Sequence, residues 1–338
     1  MKPIMLLLCM ILSGILGPAG VQGNKSLGQA QPVPSAFHRG SEKRVSALRV
    51  TVLSTMLTDG RGIGEWGFAA LVEADGHRLL FDTGHRPNTV LENARELGID
   101  LTGVTEVVLS HNHSDHTGGL LTLRRELVKD NPEAIGRVHV GRGIFLSRPS
   151  ASGQEGNAMI EVKAAFEATG GIFIEHNEPY QIFPGVWITG PVPRIHPERN
   201  WSGRGRIKTA EGLVEDTIPE DQSLVIDTSE GLVIIAGCGH AGIVNTFAYA
   251  RDQVRNTSIH AALGGFHLFQ ADDAHLEWTA GKIGDFGLEH LMGAHCTGIN
   301  AVFTLRELIG LDRSTSVVGA VGAVFELGTG INPGFIAR

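Results

Sequence analysis

A chain of 338 residues with 42% hydrophobic content can bury a large core and has neither a disordered nor a repeat composition. Its formal net charge is -8, and no basic block runs along it that would track a phosphate backbone, so a small-molecule substrate is expected and nucleic acid is not. The 45 glycines are the compositional outlier, and many stand beside the polar motifs described below, where backbone must turn sharply or approach a ligand.

Met1-Lys2, the apolar run Ile4 to Leu16 and the small residues up to Gly23 have the layout of a secretory signal peptide over residues 1–23. The run is too short to span a bilayer comfortably, so the expectation is export to a periplasmic or secreted location, with no stable membrane insertion after signal removal. Residues 24–44, rich in Gly, Ser, Pro and Gln, read as a flexible leader, and residues 45–338 as the folded domain. Without the signal, two cysteines remain, Cys238 and Cys296. They are too few for a disulfide framework, and both lie close to a histidine in a glycine-flanked motif.

Ala47 to Ser54 alternates well enough to open the fold as a strand, and Phe68 to Glu73 is a second. Asp75-Gly76 turns the chain into a third, Arg78 to Asp82. Val90 to Leu97 has helical spacing and stops at Gly98, and Val104 to Leu109 is the next strand, followed by a helix over Leu120 to Val128. Residues 141–216 are less regular and read as an insert lying over the mouth of a site, with His176, Arg194, His196, Trp201 and Arg204 as candidate specificity residues. Leu224 to Ala236 forms two strands about a Ser-Glu-Gly turn, Ile243 to Val254 is a helix, and the later apolar segments end on His267 and His295. Strands alternating with helices on both sides of the insert predict an α/β fold of two sheets covered by helices, a four-layer αββα sandwich.

The strand Val104 to Leu109 runs into Ser110 to Leu120, SHNHSDHTGGL. Delivering several imidazoles and a carboxylate at the end of a buried strand is costly unless a cation receives them. Alternate residues of an extended segment share a side, so His111 and His113 can hold one metal, while Asp115 and His116 past the bend reach a second. Two adjoining divalent ions would bring a shared water to a pKa of about 7, making hydroxide available at neutral pH.

The pattern HxHxDH at His111, His113, Asp115 and His116 resembles the metallo-β-lactamase superfamily. Together with GCGHAGIVNT, GGFHL and HCTG it resembles the branch containing 7,8-dihydropterin-6-methyl-4-(ribofuranosyl)aminobenzene-5′-phosphate synthase. The resemblance implies the αββα fold and two divalent metal ions, with zinc expected and iron or manganese as alternatives. It also implies that His295 is a metal ligand and that Asp82 supports the site from behind the ligands. The superfamily's usual third histidine and bridging aspartate do not map cleanly. His240 is the main replacement, with Asp221 and Cys238 as rivals for metal or substrate, and His267 is a candidate for substrate binding, proton donation or ligand orientation.

These readings make the chain an exported metal-dependent hydrolase in which metal-bound hydroxide attacks an ester, lactone, amide or phosphoester, with Asp115 orienting the nucleophile. The alternatives are a transferase acting on a pterin or aromatic phosphate ester and an iron-dependent oxidoreductase built on the same ligands.

Overall fold

The computed structural model describes residues 43–337; the signal segment and most of the leader lie outside the described residues. The first sheet has eight strands, in the order Gly330–Asn332, Val324–Glu326, Leu48–Ser54, Ala69–Ala74, His77–Phe81, Glu106–Leu109, Arg137–Gly141 and Ile172–His176. The second has seven, in the order Ser316–Val318, His290–Gly293, Ile259–Gly264, Leu232–Ala236, Ser223–Asp227, Val186–Ile188 and Tyr180–Phe183. Each sheet is part antiparallel and part parallel, and the parallel part is where helical crossovers occur.

The period-2 rule sorts the side chains between layers. In Ala69–Ala74, Ala70, Val72 and Ala74 face the second sheet, while Ala69 and Leu71 face helices. The run Val107-Val108-Leu109 divides in the same way: Val108 points between the sheets, and Val107 and Leu109 point to the helical side. Both faces are covered, which is why this strand is continuously apolar.

Helices Thr89–Glu96, Leu120–Leu127 and Met159–Glu167 cover the first sheet through residues such as Val90, Leu123 and Phe166. Helices Ile243–Gln253, Asp273–Asp285 and Ile299–Ile309 cover the second through Phe247, Ile283 and Leu305. Each fully buried Val, Leu or Phe contributes about 1.5–3 kcal/mol to holding these layers together. The architecture is the expected αββα sandwich.

The stretch 141–216 divides in the structure. Ile172–His176 is the edge strand of the first sheet, and Tyr180–Phe183 with Val186–Ile188 form the edge of the second. What remains outside both sheets is the segment 142–171, which carries the covering helix Met159–Glu167, and the loop from Gly190 to Arg204 with the hairpin Arg206–Thr209 and Gly212–Glu215. The short apolar pieces that looked irregular in the sequence are edge strands, where partial exposure weakens the alternation.

Candidate metal centre

Strand Glu106–Leu109 ends at Ser110, and the chain then makes a single helical turn, Ser114–Thr117, before the helix Leu120–Leu127. His111 and His113 lie on the extended approach, and Asp115 and His116 on the turn. The turn is held close to the loop after strand His77–Phe81. A Cβ at Gly118 would sit 1.8 Å from the carbonyl oxygen of His85, so only glycine allows this approach.

Asp82 stands behind the cluster with a positive φ of 56° and is fully buried. Its carboxylate accepts the Ser110 backbone N–H at 2.7 Å, the Ser110 hydroxyl at 2.7 Å and His116 Nδ1–H at 2.7 Å. His116 Nε2 is thereby turned toward Cys238 Sγ, 3.1 Å away. Gly237 is needed beside this arrangement, because a Cβ there would meet Ser110 Oγ at 2.1 Å.

The second sheet supplies the remaining residues from the ends of three neighbouring strands. His240 follows Leu232–Ala236, His267 follows Ile259–Gly264, and His295 follows His290–Gly293. His240 Nε2 lies 3.2 Å from His111 Nε2, and the ligand atoms of His111, His113 and His240 lie within 4.8 Å of one another. Asp115, His116 and His295 form an adjoining set within the same limit, with His295 Nε2 3.3 Å from Asp115 Oδ2. Cys238 joins His111 and His116 in one set and His240 and His267 in another.

Asp221 stands outside these sets. It accepts the Ala241 N–H at 2.8 Å through Oδ2, while its Oδ1 is buried without a hydrogen-bond partner.

The electrostatics favour neutral imidazoles at His111, His113 and His240 and a protonated one at His116 between two carboxylates. Burial lowers the pKa of His111 and His240 well below the ordinary range and lowers that of His113 to about 4. Burial opposes charge on His116 too, but Asp82 and Asp115 outweigh it and raise the imidazole to about 9. Burial likewise opposes ionisation of Asp115, yet the facing histidines hold its carboxyl well below the usual range. Burial pushes Asp221 up to about 6.

The residues present fit a divalent metal. Imidazole nitrogens, a thiol and a carboxylate converge in a buried space, and Nδ1 of fully buried His295 lacks a hydrogen-bond partner.

Several contributors escaped the sequence reading. The Arg148 side chain, 9% exposed, lies beside the cluster, donating from Nε to Asp216 at 2.8 Å and from Nη2 to both oxygens of Glu220 at 2.7 and 2.8 Å. Glu220 in turn accepts the Asn112 backbone N–H at 3.3 Å, tying this network to the histidine loop. Glu198, also buried, accepts the Val244 and Asn245 N–H groups at the start of helix Ile243–Gln253, pinning the Gly190 to Arg204 loop over the site. Burial raises its carboxyl to about 7 against those N–H groups. None of these residues carries a local motif; each acts through a partner distant in sequence.

A cleft of about 580 Å³ opens beside His267, walled by Trp201, Phe269, Arg199 and His275. Trp66 bridges from Phe269, 5.7 Å between ring centroids, to His295, 4.8 Å away. Of the five candidate specificity residues, Trp201 lines this cleft. His176 pairs with His139 at 2.9 Å, the Arg194 guanidinium donates to the Ile218 carbonyl at 3.1 Å, the His196 backbone bonds Asn245, and Arg204 is exposed.

The sequence profile of the Metallo-beta-lactamase superfamily matches residues 67–254, more than half of the chain. The chain belongs to this superfamily. It is 29% identical over 243 residues to the 7,8-dihydropterin-6-methyl-4-(β-D-ribofuranosyl)-aminobenzene-5′-phosphate synthase of Methanocaldococcus jannaschii, covering 70% of this chain and 82% of the synthase. An uncharacterised protein of the same organism is 32% identical over 264 residues, covering 76% of this chain and 92% of that one. Among solved structures, Tm1679, described as a metal-dependent hydrolase of the β-lactamase superfamily, superposes with a TM-score of 0.63 at 29% identity, covering 78% of this chain and 93% of the other. Zinc-bound PqqB from Methylobacterium extorquens shares the fold at 15% identity and a TM-score of 0.52, covering 82% and 100%. The superfamily assignment and the αββα architecture agree, and the named relatives include both a synthase and a hydrolase.

Proposed function

We propose that the protein is a two-metal hydrolase acting on a small aromatic molecule that bears an anionic ester or phosphoester. The observation that carries the reading is the meeting of two ligand sets, His111/His113/His240 and Asp115/His116/His295, in one buried space. Bound there, a pair of divalent ions, expected to be zinc, would supply Lewis acidity and an activated water. The chain's own residues supply the rest. Asp82 fixes the His116 ring through Nδ1 so that Nε2 points inward. Asp115 keeps its carboxylate ionised beside two histidines, where it can orient a nucleophile.

The cleft supports the substrate class. Trp201 and Phe269 offer aromatic faces for a planar group, Arg199 offers positive charge to an anion, and His275 a ring nitrogen for hydrogen bonding. His267 lines the cleft and also lies within ligand distance of Cys238 and His240, which supports a role in meeting substrate at the edge of the metal centre. Export through the N-terminal signal belongs to the same proposal and rests on the sequence of residues 1–23.

The test is metal-controlled turnover. Purified protein is expected to contain about two equivalents of divalent metal per chain, to lose activity on a panel of aromatic esters, lactones and phosphoesters after chelation, and to regain it on metal return. Metal-free protein with unchanged activity would refute the reading.

The likeness to the synthase favours a second reading, a transferase acting on a pterin or an aromatic phosphate ester. The same aromatic cleft would serve it. Product analysis separates the two, since a transferase accumulates a condensation product and a hydrolase an acid and an alcohol or amine.

A further inference from the structure

We propose that Cys296 acts with Cys238 as a pair of thiolate donors, so that the centre binds a thiophilic divalent cation through sulfur as well as nitrogen. The inference rests on the metal reading above and adds to it a donor type and a residue, Cys296, that the superfamily motif does not specify.

The second sheet brings the two sulfurs together. Cys238 follows strand Leu232–Ala236, and Cys296 lies in the short turn His295–Thr297 after strand His290–Gly293, with strand Ile259–Gly264 between them in the sheet. Their side chains converge over the carboxyl ends of these parallel strands. Both are free thiols, and their residues are 2% and 1% exposed. Cys238 Sγ, Cys296 Sγ and a His295 ring nitrogen lie within 4.8 Å of one another.

Packing alone does not account for this placement. Cys238 Sγ is a member of three candidate ligand groups, and it lies 3.1 Å from His116 Nε2. The Cys296 thiol faces the Cys238 and His267 side chains and lies a long 3.8 Å from the Cys238 carbonyl. Beside it, fully buried His295 faces Asp115 through Nε2 at 3.3 Å, while its Nδ1 has no hydrogen-bond partner. A buried imidazole nitrogen left unpartnered next to two sulfurs is what a soft cation would satisfy, and an apolar contact would leave it unmet. A Cβ on Gly265 would come 2.9 Å from Cys296 Sγ, so the backbone is pressed close to the sulfur and limits its freedom to turn away.

On binding, each thiol gives up its proton and donates a sulfur lone pair, so one divalent cation taken up through both sulfurs releases two protons. Sulfur donors shift preference toward zinc, cobalt, cadmium or iron and away from magnesium and manganese.

The experiment uses the full chain, stripped with a chelator and reloaded with cobalt(II), with bound cobalt counted by elemental analysis. The wild type is expected to show sulfur-to-cobalt charge-transfer absorption in the near ultraviolet. Cys296→Ser and Cys238→Ser should each lose one thiolate's share, and the double variant should lose the band while retaining cobalt on the histidines, which also removes Cys9 as its source. Cadmium-113 resonance of the unaltered protein gives the same answer without a variant, through a downfield shift diagnostic of two sulfur donors. Cobalt retained with no sulfur band, or a band untouched by Cys296→Ser, would overturn the thiolate pair and leave the metal reading standing. A wild type that retains no cobalt would overturn both, and a Cys238–Cys296 disulfide in the unreduced protein would overturn the pair.

Discussion

Replacing Arg148 with methionine tests whether the buried ion network beside the histidine loop holds the site. The guanidinium serves Asp216 and Glu220, and the three side chains are 9%, 7% and 0% exposed. Removing one partner of a buried pair costs about 3–5 kcal/mol because an uncompensated charge remains. The cost is not doubled for two carboxylates, since they repel each other and the variant can protonate one. Burial already pushes Glu220 to about 7 with Arg148 present, and without it the carboxyl climbs further.

A folded pKa above the ordinary 4.5 means that Glu220's contribution is complete below about 4.5 and is lost as pH rises through its folded value. In the wild type that loss ends near 7; in Arg148→Met it continues upward at about 1.4 kcal/mol per pH unit. Urea unfolding near pH 6 should therefore show a smaller difference between the proteins than at high pH, growing by about 1.4 kcal/mol at pH 8 and about 3 kcal/mol at pH 9. Glu220→Gln in the Arg148→Met background should remove the pH dependence. A difference under about 1 kcal/mol at high pH, or one that is equal at both pH values, would refute the reasoning.

Asp82→Asn keeps the shape but weakens the acceptor for His116 Nδ1, and it should reduce metal affinity about 10–100-fold in competition with a chromophoric chelator; unchanged affinity would show that Asp82 only packs. Glu198, raised to about 7 from an ordinary 4.5, contributes stability that is present below 4.5 and lost as pH rises through 7. Relative to wild type, Glu198→Gln should therefore gain up to about 3 kcal/mol between pH 4.5 and pH 8, and parallel stability profiles for the two proteins would contradict this. Intact-mass analysis of protein recovered outside the cytoplasm should find a chain beginning near Asn24. An N-terminus still at Met1 in the exported fraction, or no exported fraction, would remove the signal assignment.

Much of the frame was readable from local pattern. The strand over Ala47 to Ser54, the turn at Asp75-Gly76 and the helix stopped at Gly98 are set by short-range spacing and turn chemistry, and the structure places them within a residue or two. The exception was Ile172–His176 and its neighbours. An edge strand owes its place to the strand it pairs with, and its own residues are only partly buried. The candidate site divides along the same line. His111, His113, Asp115 and His116 announce themselves because they fall within six consecutive residues, whereas Arg148 and Glu220 are separated by 72 positions.

The sequence by itself determined that a buried strand delivers a histidine cluster, that sheets and helices alternate, and that His240, His267 and His295 each end an apolar segment, because these depend on neighbours in the chain. Only the tertiary structure decided that those three ends meet the cluster, that Cys296 faces Cys238, and that an aromatic cleft opens at His267. Those juxtapositions follow from how two sheets stack and which strands lie side by side. That choice is fixed by burial summed over the whole core and has no signature in any one stretch of sequence.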